Sequence, residues 1–149
     1  MHADTPENRG NYPYFTSIQT RWADNDLYGH VNNVTYYSYF DTVVNNYLME
    51  EGGFNPFSDP VIGVAVETLC RFKTSITHPE KIEAGLRVGA LGNSSVRYEI
   101  GIFKGGMDEA AAAGHFVHVF VDRKTNTPVP VPAKIREALM RIQKDERAR

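Results

Sequence analysis

From Asn33 onward the apolar side chains recur at helical spacing. Tyr36, Phe40, Val43, Val44, Tyr47 and Leu48 fall at i, i+4, i+7, i+8, i+11 and i+12, which is one stripe of an α-helix. Asn32 and Asn33 are good N-cap residues, because a short amide can accept an orphan backbone N–H, and Gly52-Gly53 is a good stop. These limits predict a helix of roughly 18 residues, about 27 Å long. Elsewhere the period is two. Thr16–Trp22 reads as a short strand, followed by a polar turn over Asp24–Gly29. After a Pro- and Phe-bearing loop at 53–60 come four more strand-like stretches. In Val61–Thr74, Ile62, Val64 and Val66 alternate. In Lys81–Leu91, Ile82, Ala84, Leu86, Val88 and Ala90 share a face. In Ser94–Lys104 the shared face carries Val96, Tyr98, Ile100 and Ile102. Ala113–Asp122 sets Phe116, His118 and Phe120 against Val117, Val119 and Val121. Gly92-Asn93 and Gly105-Gly106 supply turns between strands. Pro128, Pro130 and Pro132 end the sheet. Pro132 opens a last helix with Ile135, Leu139 and Ile142 as its stripe.

The order of strand, long helix, four strands and short helix is α+β. Strands joined by short turns make an antiparallel β-sheet, and the long helix must lie against it to bury its stripe, a sheet wrapped around one long central α-helix being one candidate arrangement. Residues 1–15, with Pro6, Gly10 and Pro13 among polar residues, read as a flexible N-terminal arm, and residues 16–149 as a single domain. There is no internal repeat and no linker.

Composition narrows the class. A chain of 149 residues can bury about 68–70% of its unfolded surface, so a substantial core is available. The formal net charge of −2 argues against a nucleic-acid binder driven by phosphate attraction. No apolar run approaches the roughly 18 residues needed to span a bilayer, and Met1–Tyr14 carries no apolar leader, so a cytoplasmic location away from membranes is the expectation. One cysteine, Cys70, rules out an intramolecular disulfide. With that cysteine and scattered histidines there is no zinc spacing; His115 and His118 fall on opposite faces of a strand, so no metal is expected. The segment from Pro132 to Arg149 carries six Lys/Arg against three Asp/Glu, which suits either a solvated helix face or the phosphates of a ligand.

The chemistry concentrates between the first strand and the helix. Arg21-Trp22-Ala23-Asp24-Asn25-Asp26-Leu27-Tyr28-Gly29-His30-Val31-Asn32-Asn33 places two carboxylates, a histidine and amides in one turn that runs into a helix N-terminus. Free N–H groups and the positive end of the helix dipole at such a point can hold an anion, or an oxygen becoming one. A carboxylate beside it can act as a nucleophile or as a general base on water. Together these meet the minimum needs of acyl transfer. The competing reading is local: Asp and Asn are common in turns because they bond their own backbone, and Asp24 in such a turn is expected to point to solvent. Tyr36 and Tyr47 read as core residues, and Cys70, with no Lys or His beside it, as structural.

The string Asp-x-Asp-x-x-Gly-His-Val-Asn-Asn, followed by Tyr36 and Tyr39-Phe40, resembles the hotdog-fold acyl-CoA thioesterases of the 4-hydroxybenzoyl-CoA thioesterase-like group. Gly114–Pro130 is similar to that family's last strand and proline exit. The resemblance implies a hotdog fold and hydrolysis of an acyl-CoA to a carboxylic acid and coenzyme A. It implies Asp26 as the catalytic carboxylate and the backbone N–H of Asn33 as the group polarising the thioester carbonyl. Gly29 matches the glycine that lets the chain pass close to the substrate, and Val31 and Asn32 fall beside it in the substrate-binding stretch. His30 is a candidate to bond the thioester or steady Asp26. Some members place the acid on the central helix instead, where Asp41 is the counterpart. No cofactor is implied, coenzyme A being part of the substrate, and the expected partner is a second copy of the chain, in a homodimer or homotetramer. A non-catalytic acyl-CoA or acyl-carrier binding module and an acyl-carrier-protein thioesterase remain alternatives on the same scaffold.

Overall fold

The computed structural model describes residues 7–144. The apolar stripe forms α1 (Thr35–Gly52), and Tyr36, Phe40, Val43, Val44, Tyr47 and Leu48 are all buried. Five strands, β1 (Tyr14–Gln19), β2 (Val61–Phe72), β3 (Lys81–Leu91), β4 (Ser95–Lys104) and β5 (Ala112–Asp122), form one antiparallel sheet in the order β1-β3-β4-β5-β2. The helix lies along one face of that sheet. The alternating rows of β3 (Ile82, Ala84, Leu86, Val88) and β4 (Val96, Tyr98, Ile100, Ile102) are fully buried in the core it shares with α1. Each such aliphatic or aromatic side chain contributes about 1.5–3 kcal/mol relative to exposure. A short helix, α2 (Ala133–Arg141), closes the other side: Ile135, Ala138 and Leu139 are buried, and the Tyr47 hydroxyl donates to the Ala138 carbonyl. None of these helices is long and apolar enough to cross a membrane.

Four local expectations are corrected. The first strand spans Tyr14–Gln19 instead of Thr16–Trp22, and residues 7–15 are not a free arm. Tyr12 is buried with Phe15 and Phe103 on the sheet face opposite α1, and the Ala110 N–H donates to the Glu7 carbonyl. The sequence hid this because the surface receiving Tyr12 is made by Gly85 and Gly101, neighbours only across β3 and β4. Residues 1–6 of the expected arm, and 145–149 of the basic tail, lie outside the described residues. Second, Ile62, Val64 and Val66 do not form a core row. A bulge at Val66 breaks the register, β2 is an edge strand, and its helix-facing row is Gly63, Ala65, Thr68, Cys70 and Phe72. Third, a register shift after Val88 leaves Ala90 exposed. Fourth, β2 and β3 are not joined by a tight turn; residues 73–80 carry the chain across the end of the sheet, since β2 and β3 are not neighbours.

The core also holds a histidine. His118 lies on the helix-facing row of β5 between Phe116 and Phe120, its ring edge-on to Tyr98 at 5.3 Å between centroids. Its Nδ1 and the Tyr98 hydroxyl have no hydrogen-bond partner among the described residues. Burial disfavours the imidazolium and pulls the His118 pKa down to about 4. A histidine depressed on folding stabilises the fold fully above its unfolded pKa of about 6.5, and that stability is lost as pH falls towards 4. His118 should account for about 3 kcal/mol of the stability that denaturant titrations of the wild type lose between pH 7 and pH 4, so His118→Leu should decline less over that range by about that amount, whatever its effect at pH 7. Equal pH slopes for the two proteins would contradict this.

Candidate active site

The site is built outward from Asp24, which is only 2% exposed. A single 3₁₀ turn, Trp22–Asp24, brings its carboxylate back to Arg21, whose backbone N–H donates to Oδ2 at 2.9 Å and whose guanidinium donates to Oδ1 at 3.1 and 3.0 Å. The Tyr39 hydroxyl, one turn into α1, donates to Oδ2 at 2.8 Å. Asp24 therefore does not point to solvent as the turn pattern suggested; it fastens the loop to the helix. Burial pushes its carboxyl pKa up, but bonds from the Arg21 N–H, the Tyr39 hydroxyl and the Arg21 guanidinium outweigh it and hold the pKa below the usual range. The Asp24 carbonyl also accepts the Asn32 N–H at 2.9 Å, so one residue sets both the turn and the start of the helix.

Asp26 opens a closed loop. Its N–H donates to the His30 carbonyl (2.9 Å), its carbonyl accepts the Gly29 N–H (3.0 Å), and Oδ1 accepts the Tyr28 N–H (2.9 Å). Oδ2 has no hydrogen-bond partner among the described residues. Gly29 takes φ +85°, the left-handed region that favours glycine. That turn accounts for the glycine, since Gly29 is not on the wall of the cleft described below.

Asn32 closes the turn that leads into α1, whose N-cap position is Val34. Its Oδ1 accepts the Val34 N–H and its carbonyl the Thr35 N–H, both at 2.9 Å, while the Asn33 carbonyl accepts the Tyr36 N–H at 3.3 Å. Among the described residues the Asn33 N–H has no acceptor. It is an orphan donor in the turn that leads into α1, at the positive end of the dipole.

These residues meet in one open cleft of about 480 Å³, walled by Asp26, Tyr28, His30, Val31, Asn32 and Asn33 on one side and by Tyr36 and the chain from Phe72 to Ser75 on the other. Val31 is buried, and its N–H donates to the Ile76 carbonyl at 2.7 Å, which holds the two walls together. His30 is exposed on the first wall, its ring unbonded among the described residues. Asp41 is exposed on α1, accepts from the Asn45 side chain and is not on the cleft. The second wall was missed from sequence. Tyr36 packs edge-on against Phe72 (4.9 Å), and burial pushes the Tyr36 phenol up to about 12, so it stays neutral and a potential donor. Lys73, Thr74 and Ser75 arrive because the N–H groups of Lys73 and Thr74 both donate to the Ala111 carbonyl and turn the chain out of β2. The only sequence signal was the change from apolar alternation to small hydroxyl residues after Phe72. Cys70 sits away from the cleft, its thiol pushed up to about 12 by burial. Among the described residues no group of His, Cys, Asp and Glu is arranged to hold a metal ion.

The thioesterase-like superfamily matches this chain over residues 20–139, a span holding both carboxylates, α1 and the whole cleft. The chain belongs to that superfamily. The PA5185 protein from Pseudomonas aeruginosa strain PAO1 is 50% identical, with a TM-score of 0.93 over 95% of this chain and 99% of that one. A DHNA-CoA thioesterase from Staphylococcus aureus shares the fold at 21% identity, with a TM-score of 0.76 over 86% of this chain and 89% of that one. Among curated proteins, YsmA of Bacillus subtilis is 24% identical over 90 residues, and the match spans 60% of this chain and of that protein. This member of the superfamily thus has the hotdog fold: the five-stranded antiparallel sheet around the 18-residue α1.

Removing the Asp24 carboxylate strands the Tyr39 hydroxyl and the Arg21 N–H. Asp24→Ala should therefore cost about 3 kcal/mol at pH 7 by chemical denaturation. Because the pKa is depressed on folding, the stabilisation is present above about 3.9 and lost as pH falls through the lower folded value, so the gap between variant and wild type should narrow in acid. A variant as stable as wild type at pH 7 would contradict the assignment.

Proposed function

We propose that this protein is an acyl-CoA thioesterase that hydrolyses R–CO–S–CoA to a carboxylic acid and free coenzyme A. The observation that carries the reading is that Asp26, with an oxygen uncommitted among the described residues, and Asn33, whose N–H has no acceptor among them, line one cleft in a chain of the thioesterase-like superfamily. The thioester carbonyl oxygen accepts the Asn33 N–H, which is fixed before reaction and meets the charge as it develops. In the general-base route Asp26 takes a proton from water, and the hydroxide adds to the carbonyl carbon. The tetrahedral intermediate then expels the thiolate, which recovers the proton from Asp26. In the nucleophilic route the Asp26 carboxylate itself adds, the thiolate leaves, and water cleaves the resulting anhydride. His30 stands at the same wall as a second donor to the carbonyl or a support for Asp26, and Val31 and Asn32 shape the wall beside it. Gly29 serves through its turn. No resident cofactor takes part.

The working unit in this reading is a homodimer or a pair of dimers. What supports it is the free edge of β2, a twelve-residue strand at the end of the sheet with Val64 and Val66 (58% exposed) turned outward. Unpaired strand edges with exposed apolar side chains are templates for pairing. Trp22, Leu27 and Tyr28, also highly exposed, stand beside the cleft loop.

A panel of acyl-CoA esters read by thiol release should show hydrolysis. Asp26→Asn should keep the fold and lower kcat by about 10²–10⁴-fold, the scale of a general base, or more for a nucleophile. Retention of activity in Asp26→Asn with its loss in Asp41→Asn would move the catalyst onto α1. Binding of acyl-CoA without turnover would leave a binding module.

Light scattering at micromolar concentration should give at least a dimer, and Val66→Lys, which puts a charge on the β2 edge, should shift the mass towards a monomer. A monomeric wild type would overturn the assembly.

A further inference from the structure

On the sheet face away from α1 lies a second cavity, of about 190 Å³, unrelated to the Asp26 loop. Its floor is set by Tyr12, whose ring lies so close to Gly85 and Gly101 that a Cβ at either would stand 2.9 Å from it. Arg87 lies 4.7 Å over the Tyr12 ring and donates to Glu99 at 2.7 Å; its side chain is 12% exposed. Four cations line this cavity, Arg71, Lys73, Arg87 and Arg97, against two carboxylates, Glu7 and Glu99. Both carboxylates are already committed. Glu99 is within 4.0 Å of Arg87, Arg97 and Lys144, and Glu7 faces Arg87 and accepts from the Tyr12 hydroxyl. Arg71 and Lys73, successive outward positions at the end of β2, pair with no carboxylate among the described residues. A chain with a formal net charge of −2 therefore keeps an excess of positive charge in this one depression. Lys73 also lines the Asp26 cleft, so the two cavities meet at the end of a single edge strand.

We propose that this outer cavity holds the phosphate-bearing end of the thioester substrate, the 3′-phosphoadenosine diphosphate of coenzyme A. The pantetheine arm then passes around the end of β2 at Lys73. Arg71, Lys73 and Arg97 meet the phosphates, and Arg87, locked by Glu99 and Tyr12, adds fixed positive potential. The inference rests on the thioesterase reading and sharpens it, since cations placed to meet the nucleotide phosphates favour free acyl-CoA over an acyl group carried on a protein.

Titration calorimetry of the whole protein with 3′-phosphoadenosine 5′-diphosphate, which contains no thioester, tests the site apart from the chemistry. Wild type and Asp26→Asn should bind it equally, more weakly as salt rises. Arg71→Ala/Lys73→Ala should weaken it about tenfold or more. Arg71 and Lys73 are exposed, and an unchanged melting temperature will verify that the variant is folded. Arg97→Gln gives an independent variant on β4, with a smaller loss expected. In hydrolysis, Arg71→Ala should lower the ratio of kcat/KM for an acyl-CoA to that for the same acyl group on phosphate-free pantetheine. Failure of wild type to bind the nucleotide, or equal binding by the double variant, would overturn the site. Nucleotide binding without hydrolysis of any thioester would instead leave the site standing and remove the catalytic reading.

Discussion

The geometry of the cleft depends on one buried carboxylate. Asp24 accepts from Tyr39 in the helix and from Arg21 at the end of the strand segment, and its own carbonyl accepts from Asn32, the residue that closes the turn into the helix. A charged group this deep in the fold is tolerable only when every lone pair is used, and its cost then becomes a strong preference for one arrangement. That arrangement places the Asp26 loop against the first turn of α1. Asn32 in turn satisfies Val34 and Thr35 and leaves the Asn33 N–H as the surplus donor. Two aspartates two residues apart thus divide the work. The buried one holds the frame, and the half-exposed one stands at the cleft with an oxygen to spare.

What the sequence revealed follows the range of each interaction. The helix and the rows of β3 and β4 were legible because a 3.6 or 2.0 period is local, and every residue in the α1 stripe is buried as read. The turn to α2 at Pro132 was legible for the same reason. β2 was misread because an edge strand with a bulge presents Val64 and Val66 outward, and edge position is a property of the whole sheet. Tyr12 was misread because its seat exists only once Gly85 and Gly101 lie side by side. Asp24 shows the same limit at the site: its partner Tyr39 is fifteen residues away, while the local pattern around it is that of an ordinary solvent turn. The loop, its closing glycine and the Asn32 turn into the helix were readable; the wall from Phe72 to Ser75, delivered by backbone bonds to Ala111, was not.

The two faces of the sheet follow different physics. The face towards α1 is largely apolar, and the histidine on it, His118, is kept neutral by burial. The opposite face is polar, with Arg87 and Glu99 partly buried: burial acts against each charge, and their mutual bond, helped by Glu7 beside Arg87 and by Lys144 and Arg97 beside Glu99, overrides it. The end of β2 joins the two regimes, since Phe72 packs against Tyr36 on one side while Arg71 and Lys73 face outward on the other.

The central claim is that the helix N-terminus, acting through backbone at Asn33, stabilises the charge that develops on the thioester oxygen. Proline at position 33 deletes that N–H yet suits a first helical turn, whereas alanine removes only the side chain. A single-turnover comparison of the two folded variants on one acyl-CoA is the most direct measurement. The account predicts that Asn33→Pro is slower than Asn33→Ala by about 10²–10³-fold, the scale for loss of one preset donor. Equal rates would show that the oxyanion is held elsewhere, with the His30 ring the next donor on that wall.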